Sequence, residues 1–195
     1  MKKYVLASKS PRRQELIKTL NIPFEIIPSK YDENLEGKEF SHELIKDVAT
    51  NKALDVAKKL TKDETIIIGA DTVVVLGKDI LLKPKNKQDA FNMLKKLSGR
   101  THSVVTAICV VNSSTKEILC DTTTSYVTFQ NLTDEQIWNY IETKQPLDKA
   151  GAYGIQELDE TFIKTFEGSK DNIIGLCPKA LKKLLDKLDK MNSID

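Results

Sequence analysis

Cysteine is scarce in these 195 residues, with three in all: Cys109, Cys120 and Cys177. An odd number, without a C-x-x-C pair and without a histidine at ligand spacing, argues against both a disulfide framework and a zinc site. That usage points to a cytoplasmic home. Charge of one sign is also lacking, because 30 basic against 28 acidic residues leave a formal net charge of +2. Bulk charge therefore gives no reason to expect a nucleic acid partner. A polyanion would have to be met by a local cluster of Lys and Arg, which suits a small phosphate compound better than a duplex. Long apolar runs are missing as well. Met1-Lys2-Lys3 is followed only by Tyr4-Val5-Leu6-Ala7 before Ser8 and Lys9, too short for an export signal. Val104 to Val111 falls far below the roughly 18 to 20 residues that cross a bilayer, so no membrane association is expected. Walker A, G-x-G-x-x-G, G-x-S-x-G and H-E-x-x-H are all absent, which makes the common nucleotide folds, the serine-hydrolase elbow and the zinc-protease helix poor fits.

What is present centres on Ile66-Ile67-Ile68-Gly69-Ala70-Asp71-Thr72-Val73-Val74-Val75-Leu76. Its composition is that of a strand covered on both faces, where a carboxylate is desolvated unless it is paired or metal-bound. Two readings of Asp71 follow: a buried functional acid, or a residue that ends one strand and caps a turn before strand-like sequence resumes. Thr72 falls on the opposite face by the period of two, and Gly69 lets another backbone or a ligand come close.

Along the chain, Tyr4 to Ala7 reads as a strand and Ser8-Lys9-Ser10-Pro11-Arg12-Arg13 as a turn opening a helix to about Leu20. Ser10 can cap it, and Pro11 suits its first turn. Cations at a helix N-terminus oppose the dipole, so this cluster is either a solvated basic turn or the site of a bound anion. Phe24 to Ile27 is a second strand, and Asp32-Glu33 pairs two acids in a loop. A helix from Ser41 to about Leu60 keeps the 3.6 period through Leu44, Ile45, Val48, Ala49, Ala53, Val56 and Ala57. Lys52 lies on that stripe, either snorkelling outward or meeting a buried anion. Ile80 to Leu82 returns antiparallel to the central strand and delivers Lys83 toward the Asp71 site.

A third helix starts at Asn86 and ends at Ser98-Gly99. His102 to Val111 and Lys116 to Gln130 form a long hairpin, and Thr133 to Gln136 is a capping box leading a short helix. Asp148-Lys149-Ala150-Gly151-Ala152-Tyr153-Gly154-Ile155-Gln156 is either a ligand-facing loop or a plain glycine turn. Thr161 to Glu167 is a late strand. A final helix from Pro178 turns Leu181, Leu184, Leu185 and Leu188 inward. Without a repeat or linker, residues 1–195 read as one α/β domain.

Lys9, Arg12, Arg13, Lys52 and Lys83, with Asp71 and Asp32 or Glu33, make up the parts of a metal-assisted phosphate hydrolase. Cations hold a polyphosphate, carboxylates hold a divalent metal, and a desolvated acid takes a proton from water.

These motifs, with Gly69-Ala70-Asp71-Thr72, Lys83-Pro84, Leu97-Ser98-Gly99-Arg100-Thr101-His102 and the Asp148–Gln156 segment, run in one order along nearly the whole chain. The sequence resembles the Maf family of nucleoside triphosphate pyrophosphatases, within the Maf/Ham1 (ITPase-like) superfamily. The resemblance implies a twisted mixed sheet with flanking helices, in two lobes around a deep cleft. It also implies cleavage of a nucleoside triphosphate to monophosphate and pyrophosphate, with Asp71 as general base. By the same resemblance Glu33 and Asp71 hold Mg²⁺ or Mn²⁺. Ser8, Ser10, Arg12, Arg13, Lys52, Thr72, Lys83 and Gln156 hold substrate, and there is room for a homodimer. At Arg12, Thr72 and Gln156 the chain resembles the branch acting on dTTP, UTP and modified pyrimidine nucleotides, not the branch acting on 7-methyl-GTP. A nucleotide-binding regulator of septum formation and cell division, with little turnover, is the alternative. Lys9, Glu157, Lys170 and Cys177 depart from the family's usual residues around the pocket rim.

Overall fold

Asp71 does not end a strand. The apolar run folds as one uninterrupted strand, Thr65–Leu76, with Asp71 at its middle. The computed structural model describes residues 2–60 and 64–191, so Met1 of the opening basic tripeptide lies outside the described residues. The strands are β1 (Lys3–Leu6), β2 (Glu25–Ile26), β3 (Thr65–Leu76), β4 (Asp79–Leu81), β5 (Thr101–Asn112), β6 (Ile118–Phe129) and β7 (Ile163–Glu167). The helices are α1 (Pro11–Lys18), α2 (His42–Ala57), α3 (Lys87–Leu97), α4 (Asp134–Lys144), α5 (Lys170–Ile174) and α6 (Pro178–Met191). Single 3-10 turns at Pro146–Asp148, Ala150–Ala152 and Ile155–Glu157 carry the glycine-bearing segment. No described helix is long and apolar enough to cross a membrane.

The strands form one seven-stranded mixed sheet in the order β2-β1-β3-β5-β6-β7, with β4 paired to β3 off that path. β1 runs parallel to β2 and β3, and the other pairs are antiparallel. Two strands share one edge of β3: β1 pairs with it from Thr65 to Ile68, and β4 takes over only at Val74. Between them that edge opens, and Asp71 lies in the opening. On the other edge β5 pairs from Ile66 to Val75, with Ala107 opposite Asp71.

Alternation along β3 decides what each side chain meets. Ile67, Val73 and Val75 pack with Ile45, Val48, Ala53 and Val56 of α2. Ile66, Ile68 and Ala70 pack instead with Leu16 and Ile17 of α1 and the leucines of α6. A further core around Phe129, Tyr153 and the inner faces of α3 and α4 reaches β3 at Val74 and Leu76. On one face α1 and α6 thus lie near one end of β3 and α3 and α4 near the other, while α2 runs along the opposite face past Asp71.

Gly69 fixes how closely α2 approaches. A Cβ there would stand 2.1 Å from the Ala49 carbonyl oxygen and 3.0 Å from the Ala53 nitrogen, both backbone atoms. Gly69→Ala is therefore expected to cost about 1–3 kcal/mol, the usual range for overpacking. The urea midpoint reads this directly, and an unmoved midpoint would mean that the helix can slide at no cost.

The helices stop earlier than periodicity alone predicts. α2 ends at Ala57, not Leu60, because the next amides turn to carbonyls three residues back: Lys59 N–H donates to Val56 and Leu60 N–H to Ala57. α1 likewise ends at Lys18, and the capping box at Thr133 forms as the pattern predicts. One expectation is corrected. Cys109 and Cys120 are disulfide-bonded, and Cys177 is free and buried. The hairpin pairs Val111 with Ile118, and that register puts Cys109 directly opposite Cys120.

His102 is buried, with Nε2 2.7 Å from the Tyr153 hydroxyl and no hydrogen-bond partner at Nδ1. Burial pushes its pKa down from 6.5 to about 4. The folded state therefore binds the proton less well than the unfolded state. Stability from His102 is complete above pH 6.5 and is lost as pH falls toward 4, by about 3 kcal/mol in all. Denaturation midpoints of the wild type and His102→Gln should converge across that window, and a constant difference would contradict it.

Candidate active site

Lys52 stands one turn beyond Ala49 on α2, so the contact at Gly69 carries its side chain to the next residue of the same strand face. Its side chain is 8% exposed, and Nζ lies 2.7 Å from Asp71 Oδ1 and 2.6 Å from Glu33 Oε1. It also donates to the Ala70 carbonyl at 3.4 Å. Of its two readings, the buried ion pair is the one realised. Asp71 is 4% exposed, and its Oδ2 has no hydrogen-bond partner.

Glu33 comes from a loop, with its side chain 38% exposed. That loop is tied to α2 by Asp55, which accepts from the Lys30 amide at 2.8 Å and the Ser29 hydroxyl at 3.1 Å. The amide and the Lys59 ammonium bring the Asp55 pKa down to about 2. Asp32 lines the same cleft, but Glu33 is the acid on Lys52.

The two carboxylates have opposite proton affinities. Burial raises the pKa of Asp71 and the Glu33 charge adds to this, outweighing the attraction of Lys52 and Arg13. Burial also works to raise Glu33, but the Lys52 ammonium and, to a lesser degree, the Lys83 charge bring it below its ordinary value. A proton entering the pair goes to Asp71.

At the head of α1, Ser10 Oγ caps the helix by accepting from the Arg13 amide at 3.4 Å. Ser8 Oγ accepts from the Ser10 amide and from Arg13 Nη1. Arg13 donates from Nε to the Gly175 carbonyl at 2.9 Å and from Nη2 to Thr72 Oγ1 at 3.0 Å. Burial lowers its pKa, with the Asp71 and Glu33 charges opposing, and a guanidinium stays protonated regardless. Every hydrogen-bond partner of this cation is a neutral oxygen, so its charge remains available to an anion. Arg12 differs, pairing with Asp148 at 2.9 Å.

Thr72 Oγ1 also lies 2.9 Å from Thr106 Oγ1 and 3.1 Å from the Gly175 carbonyl. Its hydroxyl thus belongs to a network that fixes Arg13. Gly175, which ends α5 at φ 139°, is the functional neighbour missed by sequence reasoning; its signal was a glycine just ahead of the long final helical pattern.

These parts surround one cleft of about 710 Å³ at the opening in the sheet. Ser8, Ser10, Arg12, Arg13, Glu33, Lys52, Asp71, Thr72, Lys83 and Gln156 all line it, and so does Lys9. The glycine-bearing segment forms one wall. Gly151, at φ 66°, packs its Cα on Val74, so this part is a structural turn. Gly154 faces the Lys149 stem and the Gln156 amide.

A divalent metal fits this donor set. Asp71 and Glu33 supply hard oxygens, and Asp71 Oδ1 and Glu33 Oε1 already converge on one cation, the Lys52 ammonium. No cluster of three His, Cys, Asp or Glu side chains occurs among the described residues. Water and phosphate would have to complete the shell, as Mg²⁺ commonly allows.

The fold and site define a class: an α/β protein whose mixed sheet parts around a buried lysine–carboxylate cluster, with a helix N-terminus and an anion-ready arginine beside it. The chain belongs to the Maf family, since the family model for Maf-like proteins matches residues 3–188. It is 43% identical over 188 residues to a dTTP/UTP pyrophosphatase of Clostridium perfringens (strain SM101 / Type A), covering 96% of this chain and 97% of that one. A dTTP/UTP pyrophosphatase of Alkaliphilus oremlandii (strain OhILAs) is 46% identical over 176 residues, covering 90% and 91%. A third, from Ruminiclostridium cellulolyticum (strain ATCC 35319 / DSM 5812 / JCM 6584 / H10), is 43% identical over 190 residues, covering 97% of each.

Proposed function

We propose that this protein hydrolyses dTTP and UTP, and modified pyrimidine nucleotides, to the monophosphate and pyrophosphate, acting as one unit on cytoplasmic nucleotide pools. The observation that carries the reading is the buried Asp71, ion-paired through Oδ1 and left without a partner at Oδ2. A carboxylate with raised proton affinity is suited to take a proton, and pairing at one oxygen leaves the other for water. The family membership and the names of its relatives support the same chemistry.

In this mechanism the triphosphate lies along the head of α1. Ser8, Ser10 and Arg13 hold phosphate oxygens there, and Lys52 and Lys83 reach them from the opposite wall. Glu33 and Asp71 would hold a divalent cation, which when bound neutralises phosphate charge and makes a water easier to deprotonate. Asp71 Oδ2 takes the proton of the attacking water as its oxygen bonds to phosphorus, and the phosphoanhydride bond to the pyrophosphate breaks. The Gln156 amide faces the base. It can donate to O4 and accept from N3–H of uracil or thymine, a pairing that the amino group of cytosine spoils. Arg12 and Thr72 complete the discrimination, Thr72 by holding Arg13.

Lys83→Ala is expected to weaken transition-state binding by about 1.5–3 kcal/mol, the range for charged hydrogen bonds. Equal kcat/KM would mean that Lys83 only faces solvent. The whole reading is tested by incubating the protein and Mg²⁺ with dTTP, UTP, CTP, ITP and 7-methyl-GTP, and separating pyrophosphate from orthophosphate. Pyrophosphate from dTTP and UTP is expected. Binding of dTTP without turnover of any of the five would replace this reading with that of a nucleotide-binding regulator.

A further inference from the structure

Gln156 sits on a single 3-10 turn, Ile155–Glu157, which has no side-chain cap. The turn is held by polar contacts that converge on the next residue, Glu157. Its Oε2 accepts from the Tyr140 hydroxyl at 2.7 Å, and that hydroxyl accepts from the Gly154 amide at 3.0 Å. Its Oε1 lies 3.2 Å from Lys149 Nζ. Lys149 in turn donates to Asp148 Oδ1 at 2.9 Å, and Arg12 holds the other oxygen of Asp148, also at 2.9 Å.

The chain of contacts closes on itself at Gly154. A Cβ there would lie 3.0 Å from Lys149 Cε and 3.2 Å from Gln156 Oε1, so the lysine stem and the amide share its bare face. Tyr140 is 5% exposed and comes from α4, and the Lys149 side chain is 10% exposed. Both are therefore braced by surrounding structure. Glu157 does not line the cleft, so it can act on a ligand only through these neighbours.

We propose that Glu157 is a positioning residue for base recognition. Through Tyr140 and Gly154 it holds the turn that presents Gln156, and through Lys149 and Asp148 it holds Arg12, so two recognition contacts move together. This rests on reading Gln156 as facing the base. A brace with a merely structural role would change stability and leave substrate discrimination as it was.

The experiment compares the wild type with Glu157→Ala, Tyr140→Phe, their double variant and Glu157→Gln. It measures KM and kcat with dTTP and CTP, dTTP affinity by titration calorimetry without added divalent metal, and Tm. Each single variant is expected to raise KM for dTTP about five- to tenfold, as for a lost hydrogen bond of ordinary strength felt through a neighbour, with kcat within about twofold. The preference for dTTP over CTP should fall in both, and the double variant should be no worse than the poorer single. Glu157→Gln keeps an acceptor for Tyr140 but loses the charge for Lys149, and should lie between. Unchanged KM and unchanged preference in Glu157→Ala, whatever its Tm, would overturn the proposal, as would a double variant whose losses multiply. If no nucleotide is turned over, the pyrophosphatase reading fails and affinity alone decides: tighter dTTP binding by the wild type than by Glu157→Ala supports the proposal, and equal or absent binding overturns it.

Discussion

Asp71→Asn is expected to lower dTTP turnover by about 10²- to 10⁴-fold, equivalent to roughly 3–5 kcal/mol of barrier, while the fold survives. The amide keeps the shape and cannot take a proton. Stability should not fall with activity, because the folded state holds the Asp71 pKa above its ordinary value. For such a group the sign is fixed. Its contribution is complete below the unfolded pKa and is lost as pH rises through the folded one, so at neutral pH the ionised acid is a cost that asparagine removes. Single-turnover rates beside denaturation midpoints make the test. Wild-type turnover in the variant would end Asp71's role as base, and an unfolded variant would recast it as a structural acid.

Lys52→Met is expected to damage stability and activity together. Removing the cation strands a buried Asp71 beside Glu33, and breaking a buried pair from one side costs about 3–5 kcal/mol. The deficit should shrink as pH falls, because protonation of Asp71 removes the unpaired charge. Adding Asp71→Asn should restore much of the stability and none of the turnover, a coupling that a double-mutant cycle measures. Urea midpoints at pH 7 and pH 5 for both variants give the answer. A Lys52→Met protein as stable as the wild type at pH 7 would mean that the ion pair contributes nothing to the fold.

Both ends of this ion pair were legible in the sequence, each because it violates a pattern. An acid inside an apolar strand and a lysine on an apolar helix stripe are conspicuous once the period is known. Their meeting was not legible, since it depends on where α2 lies across β3. The split edge of β3 was equally hidden: β1 and β4 are recognisable separately, but which residues of β3 each leaves uncovered is a matter of tertiary register. The long hairpin was readable, though with the turn ending at Thr115 in place of Glu117. That small difference decided the cysteines, since spacing arithmetic looks along the chain and the bond runs across the strands. α5 was missed because five residues are too few for a period, and with it the carbonyl of Gly175 that holds Arg13. Glu157 could be seen as unusual, but its link to Tyr140 on α4 could not.

Gly69 has a consequence beyond packing. Because α2 rests its backbone on the bare face of the strand, main-chain contact governs the separation of Lys52 and Asp71, and long side-chain rotations have little say in it. The work of drawing Lys52 and Asp71 out of water is done once, as the chain folds. An arriving ligand then meets charges already aimed, and little of its binding free energy is diverted to reorganising them.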